Sequence, residues 1–134
     1  MDDTSEFELG TLKTRSEFLF VRDGTYAARG AVVVQCRANP AHHGVRYGVT
    51  ATKRIGNAVT RNRAKRRLRE VARTLLPALG RAGHDYVLIA RDRTVDRPWD
   101  RLLSDATRAL QSDALLGQSA PASAADGPAD ATAS

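Results

Sequence analysis

Residues 53–70 read KRIGNAVTRNRAKRRLRE, and this stretch predicts the start of a long helix. Asn57 is one of the residue types that cap helix N-termini, because its side chain accepts a hydrogen bond from a free backbone N–H. Apolar residues then recur with a period close to 3.6, at positions 64, 68, 71, 72, 75 and 79, which is typical of a helix with one buried face. Gly80 and Gly83 follow the last of them, so we expect the helix to end there.

The same stretch holds most of the positive charge of the chain. Nine basic residues and a single acid lie between Lys53 and Arg73, which gives this segment a charge of +8 against +6 for the whole 134-residue chain. Few acids stand three or four positions away to form compensating pairs, and like charges so close together repel one another. A solvated helix face is the simpler interpretation of a basic run, but charge of this density favours a polyanionic partner, that is, a nucleic acid.

A helical wheel separates the charged residues from the apolar stripe. The arginines at 63, 66, 69 and 73 point away from it, whereas Arg61 and Lys65 lie near its edge. The planar guanidinium group donates two hydrogen bonds to one phosphate, and the N-terminus of a helix offers free backbone N–H groups to an anion. The candidate nucleic-acid-binding residues are Lys53, Arg54, Asn57, Arg61, Asn62, Arg63, Lys65, Arg66, Arg67 and Arg69, although charge alone does not distinguish RNA from DNA.

Strand patterns lie on both sides of the predicted helix. GAVVVQC (30–36) and VRYGVTAT (45–52) precede it, and HDYVLIA (84–90) follows it. Turn residues between the first two runs predict an antiparallel hairpin. A strand, a long helix and another strand predict a crossover, and hence an α/β layer with its helices on one face of the sheet.

Two shorter helices are predicted near the ends of a single domain. SEFLFVRDG (16–24) has Ser16 as its expected cap, and the last helix begins at Pro98, with an apolar face that starts at Trp99. We expect the folded domain to span residues 11–116. Residues 1–10 are interpreted as a flexible acidic N-terminus and residues 117–134, rich in small residues, as a disordered low-complexity tail.

Several classes of protein are disfavoured by what the sequence lacks. No run approaches the roughly 18 apolar residues of a membrane span, and the acidic N-terminus does not resemble a secretory signal. The single cysteine, Cys36, suits a reducing compartment, so we expect a cytoplasmic protein without a membrane partner. Cys36 and the three histidines lack zinc-ligand spacing, and neither a catalytic carboxylate motif nor an activated nucleophile is recognisable.

The unbroken string from Lys53 to Glu70 closely resembles the signature of the bacterial ribonuclease P protein family, KK/R-x-GNAV-x-RNR-x-KRR-LRE. The triplet Arg61-Asn62-Arg63 matches its hallmark. The flanks agree as well: Leu12-Lys13, RYGVT at 46–50 and DYVLIAR at 85–91. The resemblance extends over roughly residues 11–110.

This resemblance implies a small two-layer α/β sandwich with a central sheet of about four strands. The long basic helix would lie in a left-handed βαβ crossover, with further helices near both termini. It also implies a subunit of ribonuclease P that binds the catalytic RNA and the 5′ leader of precursor tRNA, and so assists the endonucleolytic removal of the leader. The RNA subunit would carry the chemistry with bound Mg²⁺, and the protein would supply no catalytic residue.

The resemblance further implies a cleft for the leader between the first helix and the sheet. Phe18 matches an aromatic position of the family, and Phe20 lies one residue away from a second. Gln35 stands where relatives often have another aromatic residue, so stacking in this chain is expected to be weaker there.

The residues also leave other functions open. A structural RNA-binding protein of the ribosome or of another ribonucleoprotein would share the charge clustering, but not the GNAV-x-RNR string. A DNA-binding regulator ranks lower, because neither a helix-turn-helix pair nor a dimer seam is recognisable and DNA is not an expected partner. A nuclease acting alone ranks lowest, since the sequence shows no catalytic residues.

Overall fold

The computed structural model describes residues 9–116 and shows an α/β fold. Its five strands are β1 (Leu9–Thr11), β2 (Thr25–Arg29), β3 (Val32–Ala38), β4 (Val45–Thr50) and β5 (His84–Ala90). Its helices are α1 (Arg15–Arg22), α2 (Ala58–Leu79), α3 (Trp99–Leu110) and α4 (Asp113–Leu116), and a 3₁₀ turn spans Lys53–Ile55.

All five strands form one mixed sheet in the order β1-β4-β5-β3-β2. Strand β4 is parallel to both β1 and β5, whereas β3 is antiparallel to both β5 and β2. The parallel pair β4–β5 needs a long connection between its strands, and α2 provides it. The α/β class and the crossover through the basic helix are therefore confirmed, while the left-handed sense of the crossover stays a prediction.

Both ends of α2 follow the sequence prediction. The Asn57 side chain accepts a hydrogen bond from the backbone N–H of Thr60 at 2.9 Å, and Gly80 caps the C-terminus. Gly56 just before the cap has φ = 145°, a conformation that side-chain-bearing residues rarely adopt. The buried stripe of α2 is formed by Ala64, Leu68, Val71, Ala72 and Leu76.

The two faces of the sheet are covered differently. On one face the stripe of α2 and the inner side of α3 pack against alternate residues of the strands, such as Val34, Tyr86 and Leu88, and form the main core. On the other face a smaller cluster joins α1 to the sheet through Val21, Leu12 and Val87. The expectation that all helices lie on one face is thus wrong, because successive strand residues point to opposite sides and both sides of β5 are apolar.

The predicted hairpin between the runs at 30–36 and 45–52 is also wrong. Strand β5 lies between β3 and β4, with Val34 opposite Leu88 on one side and Val49 opposite Leu88 on the other. Turn residues between two strands do not require that the strands pair, and here the last strand completes the sheet. The sheet has five strands where about four were expected, because the short β1 and β2 carry weak sequence patterns.

The first helix begins earlier than predicted. Its N-cap is Thr14 and not Ser16: the Thr14 hydroxyl accepts from the Glu17 N–H at 3.3 Å, while the Glu17 carboxylate accepts from the Thr14 N–H at 3.0 Å. This reciprocal pair is a capping box, which satisfies two otherwise free N–H groups.

The ordered fold also begins earlier than position 11. Leu9 and Gly10 belong to β1 and pair with Val45 and Arg46, so they are not part of a flexible end. Residues 1–8 and the tail 117–134 lie outside the described residues, and the predictions for them stay predictions. Strand β5 and helix α3 match their predicted spans, although Trp99, placed on the buried face of α3, is 40% exposed.

Candidate nucleic-acid interface

The outer face of α2 is a row of exposed cations. Arg63, Arg66, Arg69 and Arg73 are all exposed, because they alternate with the buried stripe at helical spacing. Asn62 is exposed beside them, whereas Lys65 is half-buried at the edge of the stripe. The helical wheel therefore separated the two faces correctly.

Most of these cations lack an internal counter-ion. Arg73 pairs with Glu70 at 2.9 Å, an exposed i,i+3 pair of small energetic value. In the part of the chain from residue 9 to 116, the other exposed basic residues of this region form no ion pair; they are Lys53, Arg54, Arg63, Arg66 and Arg69. Their guanidinium and ammonium groups are therefore available to an anionic partner.

Two predicted RNA-binding arginines are already engaged within the protein. Arg67 donates to the carbonyls of Thr94, Val95 and Arg97 at 2.8, 2.7 and 2.6 Å, and so fixes the loop between β5 and α3. Arg61 donates one hydrogen bond of 2.8 Å to the Gly56 carbonyl and holds the turn before the helix. Both are half-buried. Arg67 is thus a structural residue, while Arg61 keeps further N–H donors for a ligand.

The turn ahead of α2 extends the basic surface. Lys53 and Arg54 are exposed in the 3₁₀ turn, and Ile55 packs against the main core and anchors it. Asn57 is exposed, but its side-chain oxygen is used by the cap. We name the exposed residues Lys53, Arg54, Asn62, Arg63, Arg66 and Arg69 the basic surface.

A groove of about 590 Å³ opens over the other face of the sheet. Its floor is apolar and includes Ala28, Val33 and Ile89 from three adjacent strands. Its rim is polar and includes Arg54 and Arg91. Since Arg54 belongs to both features, the groove adjoins the basic surface.

The three predicted cleft residues lie on this second face, but they differ in accessibility. Phe18 is half-buried, and its ring lies so close to Gly48 that a Cβ atom at position 48 would collide with it. The ring of Phe20 is covered by the Arg37 guanidinium, 4.1 Å from the ring centroid. Gln35 is half-buried in the middle of β3. The two phenylalanines pack between α1 and the sheet, and Gln35 lies on the same face of the sheet; their contact with RNA stays a prediction.

A buried carboxylate ties the first helix to the sheet. Asp85 has no exposed side-chain surface and receives two hydrogen bonds from Arg46, at 3.0 and 2.8 Å, one from Asn39 at 3.0 Å, and a contact of 2.6 Å with the His42 ring. Arg46 also reaches Glu17 of α1 at 3.3 Å. This network therefore positions the helix that forms one wall of the cleft.

Neither this network nor the groove rim was predicted from the sequence. A lone aspartate at the start of a strand gives no local sign that it will be buried with an arginine 39 positions away. The exposed aromatic on β2, Tyr26, was overlooked because TYAAR is too short to show a clear alternation. Arg91 stood within the quoted string DYVLIAR, but nothing in its spacing related it to Arg54.

The part of the chain that the structure describes contains neither a metal-ligand cluster nor a membrane-spanning helix. Between residues 9 and 116, no group of three or more His, Cys, Asp or Glu side chains is arranged to hold a metal ion. Within the same range, none of the helices combines the length and the apolar character needed to cross a membrane.

A family model and two relatives of this chain point to the same protein family. The family model for ribonuclease P matches residues 9–112. The "Ribonuclease P protein component" of Ruegeria pomeroyi is 49% identical over 106 residues, which cover 77% of this chain and 85% of that protein. The protein of the same name from Caulobacter vibrioides is 51% identical over 110 residues, covering 81% and 72%.

Solved structures show the same fold. The RNase P protein of Staphylococcus aureus superposes with a TM-score of 0.65 at 25% identity, over 75% of this chain and 92% of that one. The RNase P protein from Thermotoga maritima superposes with a TM-score of 0.62 at 24% identity, over 73% and 92%, and supports the fold alone.

The Asp85 network makes a prediction about stability at low pH. Burial alone would raise the pKa of the Asp85 carboxyl, but hydrogen bonds from Arg46, Asn39 and His42 outweigh it and hold the pKa below its usual value. The ionised form therefore stabilises the fold above the unfolded pKa of about 3.9, and this contribution is lost as the pH falls through the lower folded pKa. Asp85→Asn should thus be less stable than the wild type at pH 7, with the difference shrinking towards pH 3.

Urea denaturation of both proteins at pH 7 and pH 3 measures this difference. Asp92→Asn is the matched control, because Asp92 is exposed and its substitution should leave the free energy of unfolding nearly unchanged at both pH values. A difference between Asp85→Asn and wild type that is the same at pH 7 and pH 3 would show that the carboxylate's charge does not stabilise the fold.

Proposed function

This chain belongs to the ribonuclease P protein family, and from this membership we propose that its basic surface binds the catalytic RNA while the cleft beside α1 holds the 5′ leader of precursor tRNA. The chain is accordingly a subunit of ribonuclease P, the endonuclease that matures the 5′ ends of tRNAs. A cytoplasmic location is part of the same proposal.

The observation that carries the proposal is the density of unpaired cations on one rigid helix. The exposed arginines 63, 66 and 69 follow one another at three-residue intervals, so they are spaced along about two turns of α2. Arginine binds phosphate through paired N–H donors, and each contact releases counter-ions from the RNA. A helix whose other face is locked into the core presents these groups without reordering its backbone.

The leader is proposed to run over the opposite face of the sheet. Phe18 and Phe20 lie between α1 and the sheet, Gln35 is on the same face of the sheet, and the groove that includes Arg54 opens on that face as well. An unpaired strand needs a cationic track for its phosphates and apolar or aromatic surface for its bases. Both are available on this face, and Arg54 links it to the basic surface that would contact the catalytic RNA.

The protein's contribution under this proposal is binding and not chemistry. Mg²⁺ is assigned to the RNA subunit, where it would activate water and stabilise the leaving oxygen. Among residues 9–116, no group of three or more His, Cys, Asp or Glu side chains is arranged to hold a metal ion, so this proposal gives no residue of the chain a role in binding Mg²⁺. The protein would instead increase the affinity for the precursor and neutralise phosphates that otherwise require high concentrations of Mg²⁺.

Cleavage of a leader-bearing precursor tRNA at low Mg²⁺ tests this function. The cognate catalytic RNA should cleave slowly alone and much faster with the protein, because the cations of the basic surface replace part of the ionic screening. The protein without the RNA should be inactive, and a precursor lacking the leader is the matched control for leader binding. If the protein binds RNA tightly but does not restore cleavage, the structural ribonucleoprotein alternative is favoured.

The basic surface makes a separate prediction about salt dependence. Replacing Arg63 and Arg66 together by alanine should weaken binding to the catalytic RNA and lower the slope of log K against log[salt] by roughly 0.7–0.9 for each phosphate that the variant no longer neutralises. Arg22→Ala is the charge control, because Arg22 is exposed on α1, beyond the other face of the sheet. Filter binding over a series of salt concentrations measures the slopes. An unchanged slope in the double variant would show that these arginines form only a solvated helix face.

A further inference from the structure

An exposed aromatic side chain lies on the groove and has no role in the core. Of the six Phe, Tyr and Trp residues between positions 9 and 116, only Tyr26 and Trp99 are exposed. Tyr26 is 38% exposed on β2 and lines the groove, whereas Trp99 starts α3 and does not line it. An aromatic ring exposed in a groove whose lining also carries cations can stack on the base of an unpaired nucleotide.

The register of the sheet places Tyr26 on the same face as the groove floor. Tyr26 is opposite Gln35, which in turn is opposite Val87, and the next row is Ala28, Val33 and Ile89. Alternate residues of neighbouring strands point to the same side, so these side chains form one surface. The small Ala28, two residues along β2, leaves space beside the tyrosine ring.

The two phenylalanines on this face are less suited to stacking. Phe18 is wedged against Gly48, and the ring of Phe20 already has the Arg37 guanidinium over it at 4.1 Å. Both pack against the smaller cluster with Leu12 and Val21. Tyr26 is the most exposed of the described aromatic residues on this face.

The charges around the groove complement a strand of RNA. Arg54 and Arg91 line it together with Tyr26, both are exposed, and neither pairs with a carboxylate among residues 9–116. The one acid on the lining, Asp92, leaves the rim net positive. An aromatic ring on the same groove as two cations fits a nucleotide, whose base stacks while its phosphates meet the guanidinium groups.

We propose that Tyr26 is the platform on which one unpaired nucleotide of the leader stacks, with Arg54 and Arg91 holding the neighbouring phosphates. The identity of the strand rests on the proposed function. Gln35, directly across from Tyr26, has a side-chain amide that can donate to and accept from the edge of the stacked base. The aromatic surface that Gln35 lacks is thus supplied by the adjacent strand.

The test uses the holoenzyme reconstituted from the full chain and the cognate catalytic RNA. Precursor tRNAs with a leader of several nucleotides and with a leader of one nucleotide are compared for KM and kcat. Tyr26→Ala should raise KM for the long leader by roughly 5- to 150-fold, the equivalent of about 1–3 kcal/mol for one stacked base, and leave kcat and the short-leader substrate unchanged. Tyr26→Phe should behave like the wild type, because it keeps the ring.

Two further variants separate stacking from a structural effect. Tyr26→Leu keeps apolar bulk on the edge strand but removes the aromatic face, so it should resemble Tyr26→Ala in KM while unfolding like the wild type. Trp99→Ala removes an aromatic residue of similar exposure from outside the groove and should leave KM unchanged. A series of leaders, each with one abasic nucleotide at a different position, should locate the stacked base. At that position the abasic nucleotide should weaken binding to the wild-type holoenzyme but not to the Tyr26→Ala holoenzyme.

The outcomes distinguish this inference from the proposed function. If the wild-type holoenzyme prefers the long leader and Tyr26→Ala retains that preference, the stacking role is wrong and leader binding stands. If Tyr26→Ala loses affinity equally for both leaders, the residue does not contact the leader. If the wild-type holoenzyme shows no leader preference, leader binding by the protein fails and this inference fails with it.

Discussion

The burial of one stripe of α2 against the sheet is the constraint on which the rest of the structure depends. Neighbouring like charges on a helix destabilise it by a few tenths of a kcal/mol per pair, whereas a fully buried Leu or Val contributes about 1.5–3 kcal/mol. Leu68, Val71 and Leu76 are fully buried, so packing outweighs the repulsion among the arginines outside. The core thus holds in place a charged face that would be unfavourable on an isolated helix.

The two faces of the sheet are covered by different elements. The side that carries α2 contains the main core, and beyond it lies the basic surface. The other side carries the short α1, and the groove opens on it over β2, β3 and β5, with Arg54 and Arg91 at its rim. The Asp85 network links α1 to the sheet on this side, because Arg46 pairs with both Asp85 and Glu17.

Local signals in the sequence predicted the parts of the fold that local interactions determine. The Asn57 cap, the periodicity of α2 and the span of β5 were correct because each depends on neighbouring residues. The insertion of β5 between β3 and β4 was not predictable, since strand pairing is decided by contacts between residues distant in the chain. The candidate site shows the same difference between local and long-range contacts. The helical wheel predicted the exposed arginines correctly, but it did not reveal that Arg67 binds the carbonyls of the loop at 94–97. The Thr14 cap was missed although the Thr-x-x-Glu signal was present, one turn ahead of the apolar residues.

The central claim, that the outer face of α2 lies against the catalytic RNA, is tested most directly by cleaving the RNA from that face. An iron chelate tethered through Asn62→Cys generates hydroxyl radicals locally, and the natural Cys36 is buried away from the reagent. Without precursor tRNA, the account predicts strong, localised cleavage of the catalytic RNA from position 62 and little from a chelate at Arg22→Cys on α1. Strong cleavage from position 22 with none from position 62 would contradict it.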